Sequence, residues 1–133
     1  MAFDAPFGPT VANLAAALGL LSPAQFAAYN ALPRIAKDAF VANLVNAQLA
    51  ALGYDPLGLD GSGLHATLLQ GSYVPTHVFG WTEFAIDRQT QQLRVTTYGI
   101  DAYTPAQVAA DPGAILSRTP TVVSEFVVDP MER

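Results

Sequence analysis

Apolar residues recur at helical spacing as far as Gly53 and then, from His65 onward, follow a two-residue alternation; this change of period restricts the possible folds more than any other feature. Helices first and strands second is the order of an α+β domain, so the reading is α+β: about three alanine-rich helices, then a small antiparallel sheet with a hairpin and one short helix. At 133 residues the chain is a single unit, divided into a helical part (1–53), a Gly/Asp-rich loop (54–64) and a β part (65–133). That unit is expected to be incomplete. Charged residues are 13% of it against roughly 25% in an average soluble domain, while 51% are apolar. Few charges to coat a globule and many apolar residues argue for a face that packs on something else.

The first helix is predicted over Thr10–Leu18, with Gly19 ending it. Ser22-Pro23-Ala24-Gln25 reads as a capping box with proline at the first helical position, so a second helix starts there and stops near Pro33. A third, Arg34–Leu52, carries Phe40, Val41, Leu44, Val45, Leu49 and Leu52 on one face, with Lys37, Asp38, Asn43, Asn46 and Gln48 largely on the other. Strands are predicted at His65–Gln70, His77–Asp87, Gln92–Gly99 and Thr121–Val128, with Arg88–Gln91 as a hairpin connection. The second of these has apolar residues on both sides, Val78, Thr82, Phe84 and Ile86 against Phe79, Trp81 and Ala85, and so is expected to be covered on both faces. Thr104-Pro105-Ala106-Gln107 repeats the helix-start chemistry and announces a short helix that breaks at Asp111-Pro112-Gly113.

Several function classes have little support. Six Lys+Arg against eleven Asp+Glu give a net charge of −5, with no basic patch for nucleic acid. The longest apolar stretch, Val11–Leu21, is interrupted by Asn13 and falls short of the ~20 residues that span a bilayer. The opening MAFDAPFGPT has Asp4 and no basic segment, unlike a secretory signal. Zero cysteines rule out disulfides and thiolate chemistry.

Metal chemistry is weakly signalled. His65 and His77 lie twelve residues apart with no zinc-type spacing, and Asp55 and Asp60 sit in a glycine-rich loop that lacks the alternating ligands and terminal glutamate of an EF-hand. These four are the only metal candidates, and turn or strand-start roles fit them better. Ser62, between Gly61 and Gly63, lacks the flanking glycines of a nucleophile elbow, because Asp60 and Leu64 occupy those places. Glu83 and Glu125 form a possible carboxylate pair, more simply read as solvated strand positions. No residue is assigned a catalytic role, and no cofactor is expected in the chain.

Gly71–Asp101 and Ser117–Val128 resemble the C-terminal end of alkaline phosphatase D-type enzymes, a branch of the calcineurin-like metallophosphoesterases. His77, Gly80 and Trp81, then Phe84-Ala85-Ile86-Asp87, then the returning strand Leu93–Gly99 carry the resemblance, which covers about half the chain. It implies a secreted parent, extracellular or periplasmic, that hydrolyses phosphate esters with paired divalent or trivalent metal ions. The ligand motifs of that family, Gly-Asp-x-His and Gly-Asn-His-Glu, are missing here, so the chain alone is expected to be inactive. On this reading it is a non-catalytic C-terminal segment packing on the missing catalytic domain of the same polypeptide, its helices covering an edge and its hairpin extending that domain's sheet. His77, Gly80, Trp81, Phe84 and Tyr98 are the expected structural or interface residues. The alternative is a free-standing α+β interaction module that self-associates through the hairpin edge or the Arg34–Leu52 stripe.

Overall fold

A computed structural model describes residues 18–59 and 61–131. The expected Thr10–Leu18 helix lies outside them except for Leu18, which is in a turn. Ser22 starts α1 (Pro23–Asn30) as its sequence requires: its hydroxyl accepts from Gln25 N–H at 3.2 Å, and its own N–H donates to Gln25 Oε1 at 2.9 Å. Pro33 separates α1 from α2 (Arg34–Ala51) and supplies no side-chain cap to it. The other end of α2 is closed by Gly53 at φ 75°, where Gly53 N–H donates to Ala50 O and Tyr54 N–H to Leu49 O.

These helices share a small apolar core. Leu21, Tyr29 and Val41 are buried, with Phe26, Leu32, Phe40, Leu44 and Val45 packed around them. The predicted stripe is therefore real over its middle, whereas Leu52 at its end is exposed.

The sheet has four antiparallel strands, β1 (Ala66–Gln70), β2 (Val78–Ile86), β3 (Leu93–Asp101) and β4 (Thr121–Val128), in the order β1-β4-β3-β2. The α+β reading holds. β2 and β3 form the expected hairpin, in register from Val78 opposite Asp101 to Ile86 opposite Leu93. Its turn is fixed by Asp87, whose carboxylate accepts from the N–H groups of Gln89 and Thr90 and from the Thr90 hydroxyl. Hydrogen bonding, from Thr90 first, holds that carboxyl below its ordinary pKa.

Two expectations change. The Asp111-Pro112-Gly113 break is also a second helix start: α3 (Pro105–Ala110) ends, Asp111 accepts from Ala114 N–H at 2.9 Å, and α4 (Pro112–Leu116) follows with proline in its first turn. The connection thus holds two short helices, not one. More important, β2 is not covered on both faces. From Gly80 to Ile86 it is exposed, because it lies at the edge of the sheet and no helix of the described residues packs along it. Among the described residues the helical pair meets the sheet at the entry to β2 and the end of β3.

Candidate functional site

Two features stand out: a buried polar junction between helices and sheet, and the open edge of β2. At the junction, α2 presents Asp38 and the segment entering β2 presents Thr76 and His77; their exposures are 2%, 6% and 4%. Asp38 Oδ1 accepts from Thr76 N–H (2.9 Å), the Thr76 hydroxyl (2.8 Å) and His77 N–H (3.0 Å), and lies 2.7 Å from His77 Nδ1. The other ring nitrogen, Nε2, is 2.7 Å from the hydroxyl of Tyr29, which is 1% exposed. A carboxylate facing Nδ1 requires a proton there, so in the neutral ring Nε2 accepts from the Tyr29 O–H.

Burial pushes the Asp38 carboxyl pKa up, but hydrogen bonds from His77 and Thr76, with the charge interaction to His77, outweigh it and leave the pKa below its ordinary value. Asp38 is thus held as an anion inside the protein. Arg34, one turn earlier on α2, places Nη1 3.8 Å from Asp38 Oδ2 and Nε 3.1 Å from Asp101 Oδ1 at the end of β3. Its buried Nη1 has no hydrogen-bond partner among the described residues.

In order, Tyr29, His77 and Asp38 mimic a hydroxyl–imidazole–carboxylate relay, but the hydroxyl at its head is enclosed. A nucleophile must reach its substrate, and an oxygen buried among Phe26, Phe40 and His77 does not. What the network does is join: it ties both helices to the start of β2 through satisfied polar groups. An open cleft of about 870 Å³ lies beside it between Arg34, Asp101, Gln107 and Arg118, and both guanidinium groups already bond to Asp101, through its side chain and its carbonyl respectively.

The structure disperses most of the other candidates. His65 is exposed beside β1, at the opposite edge of the sheet from His77, and its carbonyl accepts from Asp129 N–H. Asp55 is an exposed loop residue and Asp60 lies outside the described residues. Among the described residues no three His, Cys, Asp or Glu side chains come together. Ser62 serves a turn, donating to Leu59 O at 2.8 Å and accepting from Leu64 N–H. Glu83 and Glu125 both flank Thr96, one on each neighbouring strand, and Glu125 is held by Arg94 at 2.7 Å.

The expected interface residues converge better. Trp81 and Tyr98 are cross-strand partners whose rings stack at 5.3 Å and 19°. Trp81, Phe84 and Ile86 are 55%, 69% and 66% exposed. Gly80 faces Gly99 across the hairpin; a Cβ on Gly80 would lie 1.8 Å from Tyr98 O, so no other residue fits there without moving β3. Beyond this pair a groove of about 330 Å³ runs over one face of the sheet, walled by Tyr73, Pro75, Val78, Phe84, Val95 and Phe126.

Asp38, Tyr29, Thr76 and Arg34 were missed as site residues. Asp38 sits among polar neighbours in the sequence and reads as solvent-facing; its one available signal is its place three residues before Val41, on the buried flank of α2. The chain matches no family model, no curated protein and no solved structure.

Proposed function

We propose that this chain is a non-catalytic interaction module that works by lending its β2 edge to another sheet. The observation that carries this is a nine-residue strand that, among the described residues, is paired on one side only, with large apolar side chains left in solvent on both faces. Such an edge is a template for strand addition unless charges, prolines or bulges blunt it. β2 has no proline, its pairing with β3 has no bulge, and Glu83 is its one charged residue. The buried junction supports the same reading: its groups are spent on fixing β2 to the helices, leaving the outer side of the strand for a partner.

The resemblance of Gly71–Asp101 supports a second occupant for this edge, the metal-dependent catalytic domain of a secreted alkaline phosphatase D-like phosphoesterase, of which this chain would form the C-terminal segment. His77, Gly80 and Trp81, which carry that resemblance, occupy the polar junction, the close β2–β3 approach and the open edge. Their roles are positional and fit a packing segment.

The purified chain is expected to bind a hydrophobic dye, and Phe84→Lys with Ile86→Lys to lose most of that signal while keeping the far-UV spectrum. A dye-silent wild type would sink the reading, as would unchanged dye binding in the double variant. Turnover of p-nitrophenyl phosphate or its bis ester by the purified chain with added divalent metal would end the non-catalytic claim.

A further inference from the structure

We infer that the occupant of the β2 edge is a second copy of β2, paired antiparallel about a two-fold axis at Thr82. The inference rests on the interaction reading above and names its partner. It begins with the phase of the ladder. Asp87 N–H donates to Gln92 O at the hairpin end. Antiparallel ladders alternate bonded and non-bonded pairs, so Phe79, Trp81, Glu83 and Ala85 direct their main-chain groups to β3. The N–H and C=O groups of Gly80, Thr82, Phe84 and Ile86 then point to the open side, whereas Val78, in the same phase, is enclosed at 3% exposure and closes that end of the edge. These are also the residues that share the grooved face of the sheet.

A two-fold at Thr82 brings together the open-side groups of both copies and pairs side chains of complementary size. Thr82 meets its own mate and Gly80 meets Phe84, while the partner's strand leaves the edge before the enclosed Val78. On the opposite face Phe79 meets Ala85 and Trp81 meets Glu83. The Gly80–Phe84 pair decides the matter. Gly80 is constrained to glycine by its approach to Tyr98 O and leaves its face of the edge without a side chain, beside the groove walled by Tyr73, Val78 and Val95. A partner's Phe84, exposed in the monomer, covers that glycine from across the strand, a pairing that sheets use to compensate a glycine.

Charge selects the same register. Moving the axis to Glu83 would set the two glutamates directly opposite, and like charges in that position repel. Moving it to Trp81 would pair Gly80 with Thr82 and leave Phe84 opposite Val78, without the glycine it covers. Thr82 is the centre that satisfies both restrictions.

The interface is small. Seven residues, 79–85, at ~3.4 Å each make a strip about 24 Å long, and with a sheet thickness near 10 Å it covers roughly 240 Å² per copy before side chains interdigitate. That is below the size of stable complexes, so association is weak and concentration-dependent.

The absence of cysteine gives the test a clean background. Thr82→Cys places two thiols across a bonded pair whose Cα atoms are ~5.5 Å apart, inside disulfide range. Under mild oxidation it is expected to form a covalent dimer at least tenfold faster than Gln89→Cys in the exposed turn. In sedimentation equilibrium the wild type is expected to shift from 14.0 kDa toward twice that mass as concentration rises to the millimolar range, and Phe84→Lys to remain at 14.0 kDa. Equal cross-linking at the two cysteines, or a wild type that stays monomeric throughout, would overturn the dimer. A monomer that still binds the dye through Phe84 and Ile86 would overturn the dimer alone; a dye-silent monomer would overturn the interaction reading with it.

Discussion

Replacing Asp38 with alanine removes a single side chain yet strands donors on two residues. The Thr76 and His77 N–H groups, the Thr76 hydroxyl and His77 Nδ1 all direct hydrogen toward Asp38 Oδ1, and Thr76 and His77 are almost fully enclosed. An unsatisfied buried donor costs about 1–3 kcal/mol, and more where the acceptor it loses is charged. Some relaxation is available, because the Thr76 hydroxyl also lies 2.8 Å from His77 Nδ1 and can turn to it if that nitrogen gives up its proton. The expected loss is therefore about 3–4 kcal/mol, a large part of the ~5–15 kcal/mol that holds a domain together. At roughly 4 °C per kcal/mol the thermal midpoint should fall by about 12–16 °C. Far-UV circular dichroism during urea and thermal unfolding is the assay, since the single tryptophan lies in solvent on β2 and reports poorly on the junction. Tyr29→Phe, which keeps the ring packing and loses only the bond to His77, should cost about 1 kcal/mol. A cost below ~1 kcal/mol for Asp38→Ala would refute the reasoning, because it would mean that water reaches Thr76 and His77 freely.

Two more outcomes follow from the same geometry. The pKa of Asp38 is lower in the folded protein than its ordinary 3.8, so its contribution to stability is complete above that value and disappears as pH falls through the folded pKa. Urea midpoints taken between pH 6 and pH 2 should fall more steeply for the wild type than for Asp38→Asn; parallel profiles would show that the carboxylate is not preferentially stabilised by folding. Gly80→Ala should destabilise the β2–β3 hairpin by about 1–3 kcal/mol, the usual cost of overpacking, because its Cβ would sit 1.8 Å from Tyr98 O. Urea unfolding reads that cost, and an alanine variant as stable as wild type would mean that the two strands separate easily at this point.

Local chemistry made much of the fold legible. The capping boxes at Ser22 and Thr104 are short-range signals that act wherever they occur, and both start helices. The hairpin was readable because Asp87 and the Arg88–Gln91 connection close on themselves, although Gln91 at φ 59° takes a conformation that usually favours glycine. Strand order was beyond this kind of reading. Nothing in Thr121–Val128 says that β4 inserts between β1 and β3 and leaves β2 outside. The expectation that β2 is covered on both faces failed for that reason: apolar residues on both sides fit a central strand and an edge strand that awaits a partner equally well. Asp38 failed in the opposite sense, since a charged residue among polar neighbours gives no sign that two backbone N–H groups from 38 and 39 residues downstream will enclose it.

The joint between helices and sheet is polar where most domains use oil. No helix of the described residues lies broadly against a strand, so the Leu21–Tyr29–Val41 core of the helices meets the sheet mainly through Asp38, Thr76, His77 and Arg34. A cavity or an overpacked side chain in the helical core therefore has few packed neighbours through which to reach the strands. The helical pair and the sheet are thus two parts with one fitting: a carboxylate on the helix and a Thr-His pair at the start of the strand.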